Sequence, residues 1–165
     1  MKVIAVTGIP GTGKTTLSKK LSNKLNFYYI DVNRLISKYK LSEGYDKKRK
    51  TKIVDNKKLN KTLIKKIGLL KESNKKYYGI IIDSHLSQNL PKKYVDYCIV
   101  TKCGIKELNK RLNRKKFHKN KIQENLQAEI FDICYNEALR RKHRIIVLDT
   151  TKGFNINKIA KQIGM

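Results

Sequence analysis

Gly8-Ile9-Pro10-Gly11-Thr12-Gly13-Lys14-Thr15 reads Gly, four residues, then Gly-Lys-Thr, the Walker A pattern of a phosphate-binding loop. At average residue frequencies, chance would place it in a chain of this size on the order of once in a hundred. Its surroundings agree with it. Val3-Ile4-Ala5-Val6 ahead of it is rich in β-branched residues and too short for a helix, so it reads as a buried strand. Behind it Leu17, Leu21 and Leu25 recur every fourth residue, the apolar stripe of an amphipathic helix. Strand, glycine loop, helix is the setting the motif needs.

The residue types follow from the chemistry of binding a phosphate. Gly8, Gly11 and Gly13 let the backbone approach without a Cβ in the way. Successive N–H groups then converge on the phosphate oxygens, reinforced by the positive end of the helix that begins near Lys14. The Lys14 ammonium is placed to reach β- and γ-phosphates, and the Thr15 hydroxyl to join the coordination shell of Mg²⁺.

At 165 residues the chain fits one domain with a sizeable core, and 39% apolar residues argue against disorder. Charge is lopsided: 39 Lys+Arg against 13 Asp+Glu give +26. A nucleic-acid or ribosomal partner explains this, since basic surfaces attract phosphate backbones regardless of sequence. Compositional drift explains it equally. Lysine far outnumbers arginine, and asparagine and isoleucine are abundant, all residues with A/T-rich codons. Three cysteines without paired spacing, Cys98, Cys103 and Cys134, point to a reducing compartment and away from a disulfide framework or zinc site. With no leader before the first strand and no apolar run near the ~20 residues that span a bilayer, a soluble cytoplasmic protein is expected.

Elements alternate along the chain. After the loop helix, Phe27 to Ile30 reads as a strand ending at Asp31, Val32 to Tyr39 as a short helix, and Leu41 to Thr51 as polar loop. Asp55 caps a longer helix carrying Leu59, Leu63, Ile67 and Leu70 on one face. Gly79 to Asp83 and Asp96 to Thr101 read as strands, followed by a helix through Leu108 and Leu112 and a charged loop from Asn113 to Asn120. Ile122, Leu126, Ile130 and Ile133 mark one helix, Ile145 to Leu148 a fifth strand, and Ile156, Ile159 and Ile163 a last helix. The expected fold is α/β, a five-stranded parallel sheet with helices on both faces.

Asp83-Ser84-His85 is the second chemical signal. Open α/β sheets place their ligands at the carboxyl ends of strands, where Asp83 lies. In phosphate-loop enzymes such an acid supports Mg²⁺, here through water. In an extended Asp-x-His both side chains point to the same side, so His85 would share the cleft.

The chain resembles the adenylate kinase isoenzyme 6 family in its archaeal form. The resemblance is carried by the phosphate loop through Thr16, by Tyr29-Ile30-Asp31, by Glu43-Gly44-Tyr45-Asp46, by Asp83-Ser84-His85-Leu86 and by Glu124-Asn125-Leu126-Gln127-Ala128-Glu129-Ile130-Phe131. The loop is generic to many kinases, whereas the combination of the other motifs is much more specific. The resemblance implies one P-loop nucleoside monophosphate kinase domain over 1–165, with an acceptor-nucleotide segment near 33–56 and a short lid near 114–124. It implies transfer of phosphate from ATP to AMP with loose specificity, ATP hydrolysis, and a role in maturation of the small ribosomal subunit beside one of its proteins. On this basis Gly11, Gly13, Lys14, Thr15, Thr16 and Lys115 bind ATP, Thr15 and Asp83 serve Mg²⁺, and Lys14, Asp83 and His85 are catalytic.

Two departures stand out. The family's Arg-Gly-Tyr in the lid is Lys115-Lys116-Phe117 here, so the arginine that contacts ATP becomes Lys115, with Arg114 beside it as a substitute. Lysine supplies charge without the planar bidentate fork. An acidic stretch after Asp46 becomes Lys47-Lys48-Arg49-Lys50, which suits an RNA or anionic nucleotide contact, or equally a solvated basic loop. Alternatives to the metabolic kinase are a ribosome-assembly ATPase and another small-molecule P-loop kinase; the Asp-x-His and Glu-Asn-x-x-Ala-Glu motifs disfavour the latter.

Overall fold

The computed structural model describes residues 1–47, 51–73 and 76–165. Five parallel strands form the sheet: β1 (Lys2–Thr7), β2 (Phe27–Asp31), β5 (Gly79–Asp83), β6 (Tyr97–Lys102) and β7 (Ile145–Asp149). Their order is β2-β5-β1-β6-β7. Val3 pairs with Ile80 and Val6 with Asp83, while Asp31 pairs with Asp83 on the other side of β5. A parallel register brings all carboxyl ends to one edge, so Thr7, Asp31 and Asp83 arrive together from three strands.

Alternation along the strands sorts side chains between two helical layers. Val3, Ala5, Ile80, Ile82, Cys98 and Val100 face α2 (Val32–Lys38), α3 (Asn56–Ser73), α4 (Ile105–Arg114), α5 (Lys119–Ile130) and α6 (Ile133–Arg140). Ile4, Val6, Ile81 and Ile99 face α1 (Lys14–Leu25) and α7 (Ile156–Gln162). Both predicted helix faces are used: Leu17 and Leu21 on α1 and Leu59, Leu63 and Ile67 on α3 are all at most 1% exposed. Burial of each such side chain contributes roughly 1.5–3 kcal/mol. The three cysteines are free and buried, and burial pushes the Cys98 thiol up to about 12. No helix among the described residues is long and apolar enough to cross a membrane.

The expected polar loop from Leu41 to Thr51 is instead largely an antiparallel ribbon, β3 (Ser42–Asp46) against β4 (Thr51–Val54). Most of β3 is exposed, so it lacks the apolar alternation that marks a strand. Lys58 on α3 donates to Glu43 Oε1 at 2.8 Å and ties the ribbon to the body. Of the basic run Lys47-Lys48-Arg49-Lys50, the last three lie outside the described residues.

The charged loop expected from Asn113 to Asn120 shrinks to Lys115–His118, because polar residues continue both helices. Asn113 Nδ2 donates to the Asn109 carbonyl at 2.8 Å and completes the last turn of α4. The single helix expected through Ile122 and Ile133 breaks between α5 and α6. Asp132 adopts a left-handed φ of 53° there, and its carboxylate is paired with Lys102.

Candidate active site

The loop between β1 and α1 has the backbone its glycines permit. Gly8, Gly11 and Gly13 have φ of 141°, 92° and 86°. At Gly8 the space is closed as well as the conformation: a Cβ would lie 2.3 Å from Thr101 Oγ1 and 2.5 Å from the Thr101 carbonyl. Thr12 fastens the loop from inside, its hydroxyl donating to the Ile9 carbonyl at 2.7 Å and sharing a hydrogen bond with the Thr101 hydroxyl. Gly13 precedes α1, so Lys14, Thr15 and Thr16 form the helix's first turn with no acidic side chain to compete for its free N–H groups.

A cleft of about 640 Å³ opens over this turn. Its floor is Gly11, Gly13, Lys14, Thr15 and Thr16; one wall carries Asp83, Ser84 and His85, and the opposite wall Arg111, Arg114 and Lys115. Asn33 lines the cleft beyond Asp83, and Thr150, Gly153 and Phe154 close the end near the turn after β7. The residues picked out from Gly11 to Lys115 thus surround one space.

Lys14 is half-buried, and its ammonium donates to the Ile9 carbonyl at 3.0 Å. Burial pushes it down to about 8; Lys115 acts in the same direction, while Asp83 and Glu129 oppose it. His85 stands exposed to the open cleft, yet loss of surrounding water, then the charges of Lys14 and Lys121, lower it to about 4. The imidazole is therefore neutral near pH 7, able to accept a hydrogen bond. Asp83 is 5% exposed, and the Tyr29 hydroxyl donates to its Oδ2 at 2.8 Å. Burial, then this bond, push the Tyr29 phenol well above its ordinary value, so it stays a donor.

Several positioning groups escape the sequence reading. Arg111 donates to the carbonyls of Gly11 at 3.4 Å, Thr150 at 2.9 Å and Thr151 at 3.3 Å, clamping the phosphate loop to the turn after β7. The Thr150 hydroxyl donates to the Thr12 carbonyl at 2.7 Å. Thr7 donates to Gln88 Oε1 at 2.5 Å, and Gln88 Nε2 to Glu137 at 2.6 Å, tying the end of β1 to α6. Glu129 is 6% exposed; it accepts the Cys103 N–H at 2.9 Å, and burial pushes its carboxyl up.

Oxygen ligands suit Mg²⁺, and Thr15 and Asp83 offer a hydroxyl and a carboxylate to the same cleft. Among the described residues, no three of His, Cys, Asp and Glu cluster into a metal cage. These two oxygen donors would suit a hard cation that accompanies nucleotide phosphates.

A phosphate loop opening a helix at the carboxyl edge of this sheet, beside an acid ending the adjacent strand, defines the P-loop nucleoside monophosphate kinase fold. Residues 4–132 match the family model described as an AAA domain. Over its whole length the chain superposes on the deoxyadenosine kinase from M. mycoides with bound dATP, covering all of that chain too (TM-score 0.58, 16% identity). A sugar kinase from Janibacter sp. gives TM-score 0.62 at 15% identity, over 98% of this chain and 91% of that one. Such low identities speak for the fold alone. Sequence relatives go further. The "Putative adenylate kinase" of Methanocaldococcus jannaschii is 36% identical over 148 residues, 90% of this chain and 76% of that one. The adenylate kinase isoenzyme 6 homolog FAP7 of Saccharomyces cerevisiae is 35% identical over 147 residues, 88% of this chain and 71% of that one. The chain belongs to the adenylate kinase isoenzyme 6 family.

Proposed function

We propose that this protein is a broad-specificity nucleoside monophosphate kinase that transfers the γ-phosphoryl group of ATP to AMP, hydrolyses ATP at the same site, and acts in small-subunit ribosome maturation. One observation carries the catalytic part: Lys14, Asp83, His85 and two lid cations line a single cleft floored by a phosphate loop. An ionised phosphate oxygen of AMP attacks the γ-phosphorus in line, and the bond to the β,γ-bridging oxygen breaks, leaving two molecules of ADP. The second ionisation of a phosphate monoester lies near pH 6, so the acceptor needs no strong base. Catalysis is then alignment and charge neutralisation. Loop N–H groups and Lys14 hold the β- and γ-phosphates, and Lys115 or Arg114 meets charge developing on the transferred group. Mg²⁺ bound with ATP, held by Thr15 and through water by Asp83, would neutralise the β- and γ-oxygens.

Water as acceptor must be oriented, and the neutral His85 in the same cleft is suited to do so by accepting a hydrogen bond from it. This histidine favours a second reading, an ATPase of ribosome assembly whose transfer to AMP is incidental. The ribosomal part of the proposal rests on the family resemblance and on the +26 charge, which supplies affinity for phosphate backbones and for a small-subunit ribonucleoprotein.

Parallel assays of hydrolysis and of transfer to AMP test the division of roles. Asp83→Asn should lower both, whereas His85→Ala should lower hydrolysis more than transfer. Equal losses in His85→Ala would refute a water-orienting role.

A further inference from the structure

A second cavity, about 240 Å³, lies along the outer edge of β2 and shares no lining residue with the active-site cleft. β2 ends the sheet, and among the described residues no further strand covers this edge. The cavity walls are aromatic, from Tyr28, Tyr29 and Tyr39, and three cations line it: Arg34, Lys38 and Lys66. Its one carboxylate, Asp31, accepts the backbone N–H groups of Asn33 and Arg34 through Oδ1 at 2.9 and 3.3 Å. Its Oδ2 lies 3.7 Å from the Arg34 guanidinium, which, among the described residues, leaves Lys38 and Lys66 as the cavity's unneutralised cations.

Cations and rings are interleaved here. Lys66 Nζ lies 5.4 Å from the Tyr28 ring centroid, and Lys38 Nζ 5.7 Å from that of Tyr39. The row continues beyond the cavity: Tyr77 meets Tyr28 edge-on at 5.3 Å, with Lys76 5.7 Å from its ring. Tyr39 is 51% exposed, and Tyr78, next to Tyr77 in the chain, 69%. An acidic peptide would use the cations but has no need of the ring faces. Unstacked bases use both, stacking on aromatic faces while ammonium and guanidinium groups neutralise the phosphates. The volume is below that of most small-molecule sites, which suits one base and its sugar better than a dinucleotide.

We propose that the β2 edge binds single-stranded RNA, with one base stacked in the tyrosine cavity and flanking phosphates on Lys38 and Lys66. The proposal deepens the RNA part of the function above and rests on that part; Arg34, Lys38 and Tyr39 fall within the acceptor-nucleotide segment expected near 33–56, whereas Lys66 lies outside it.

Fluorescence anisotropy with a labelled single-stranded oligouridylate, against an RNA duplex of equal length, tests it on the full chain. The single strand should bind more tightly than the duplex. Tyr39→Ala should weaken it roughly 5- to 150-fold, the range for loss of one base–aromatic stack. Lys66→Gln should reduce the slope of log K against log salt by about 0.7, one phosphate contact on a single strand. Its phosphoryl transfer and thermal melt should match wild type. Wild-type affinity and salt slope in both variants would place RNA elsewhere on the surface and overturn the inference, as would preference for the duplex. No binding even at low salt would overturn the RNA reading as well, while transfer assays on the same preparations report separately on the cleft. Tyr39-dependent capture of a small-subunit ribosomal protein, without RNA binding, would assign the edge to protein instead and also overturn it.

Discussion

Lys14 sits at the start of α1 with its ammonium on the Ile9 carbonyl, and burial holds it near 8. A bound polyphosphate needs that ammonium charged. ATP affinity should therefore be flat in its Lys14 dependence below about pH 8 and fall by up to tenfold per unit above it, as titration calorimetry across pH 7–10 would show. The stability consequence has the opposite sign. Between about pH 8 and the ordinary lysine value of 10.5, the unfolded chain holds a proton that the folded chain has released, so Lys14 burial costs least at high pH. Lys14→Ala should remove the fall in affinity with pH, while leaving the fold intact. Lys14, Thr15, Asp83 and His85 were legible because short backbone segments fix them: a loop at a helix start and an Asp-x-His at a strand end. Tyr29, Arg111 and Thr150 were not. Their partners lie 54, 100 and 39 residues away, and only the sheet order brings them together.

At the scale of elements, the end of α4 places two adjacent cations at the cleft. Lys115 is the C-cap of α4 and lines the cleft with Arg114. Its charge also acts on Lys14, a reason to expect that it, rather than Arg114, approaches the phosphates. Lys115→Ala should cut phosphoryl transfer by up to ~3 kcal/mol, as for other transition-state donors, and Lys115→Arg should preserve or raise it. Arg114→Ala should have the smaller effect; steady-state kinetics with the opposite ranking would move the lid cation by one position. Lys116 has a left-handed φ of 55°. Lys116→Gly removes that strain but gives the unfolded chain more freedom, for a net gain of roughly 0.5 kcal/mol. Urea denaturation would show a raised midpoint at unchanged slope; a lowered midpoint would contradict the argument. Sequence periodicity located every strand of the large sheet and missed the β3–β4 ribbon, because a strand exposed to water on most of its length leaves no apolar signature. It also joined α5 to α6, since apolar spacing carries through Ile130 and Ile133 while the chain turns at Phe131 and Asp132, the latter with a left-handed φ.

For the whole molecule, the parallel sheet matters because one edge gathers the carboxyl ends of all five strands, and the cleft forms where loop, acid and the end of α4 meet. That architecture was readable from alternating elements and one motif. The placement of the charge was not: +26 is a property of composition, and only the folded chain interleaves lysines with tyrosines along β2. The catalytic claim stands apart from that edge and can be tested alone. The direct measurement is the ADP formed from ATP and Mg²⁺, with and without AMP, by the wild-type chain and by folded Lys14→Ala. The account predicts that AMP sharply raises ADP formation, with two molecules of ADP for each ATP consumed, and that Lys14→Ala loses most of both activities. ADP formation indifferent to AMP, or undiminished in Lys14→Ala, would contradict it.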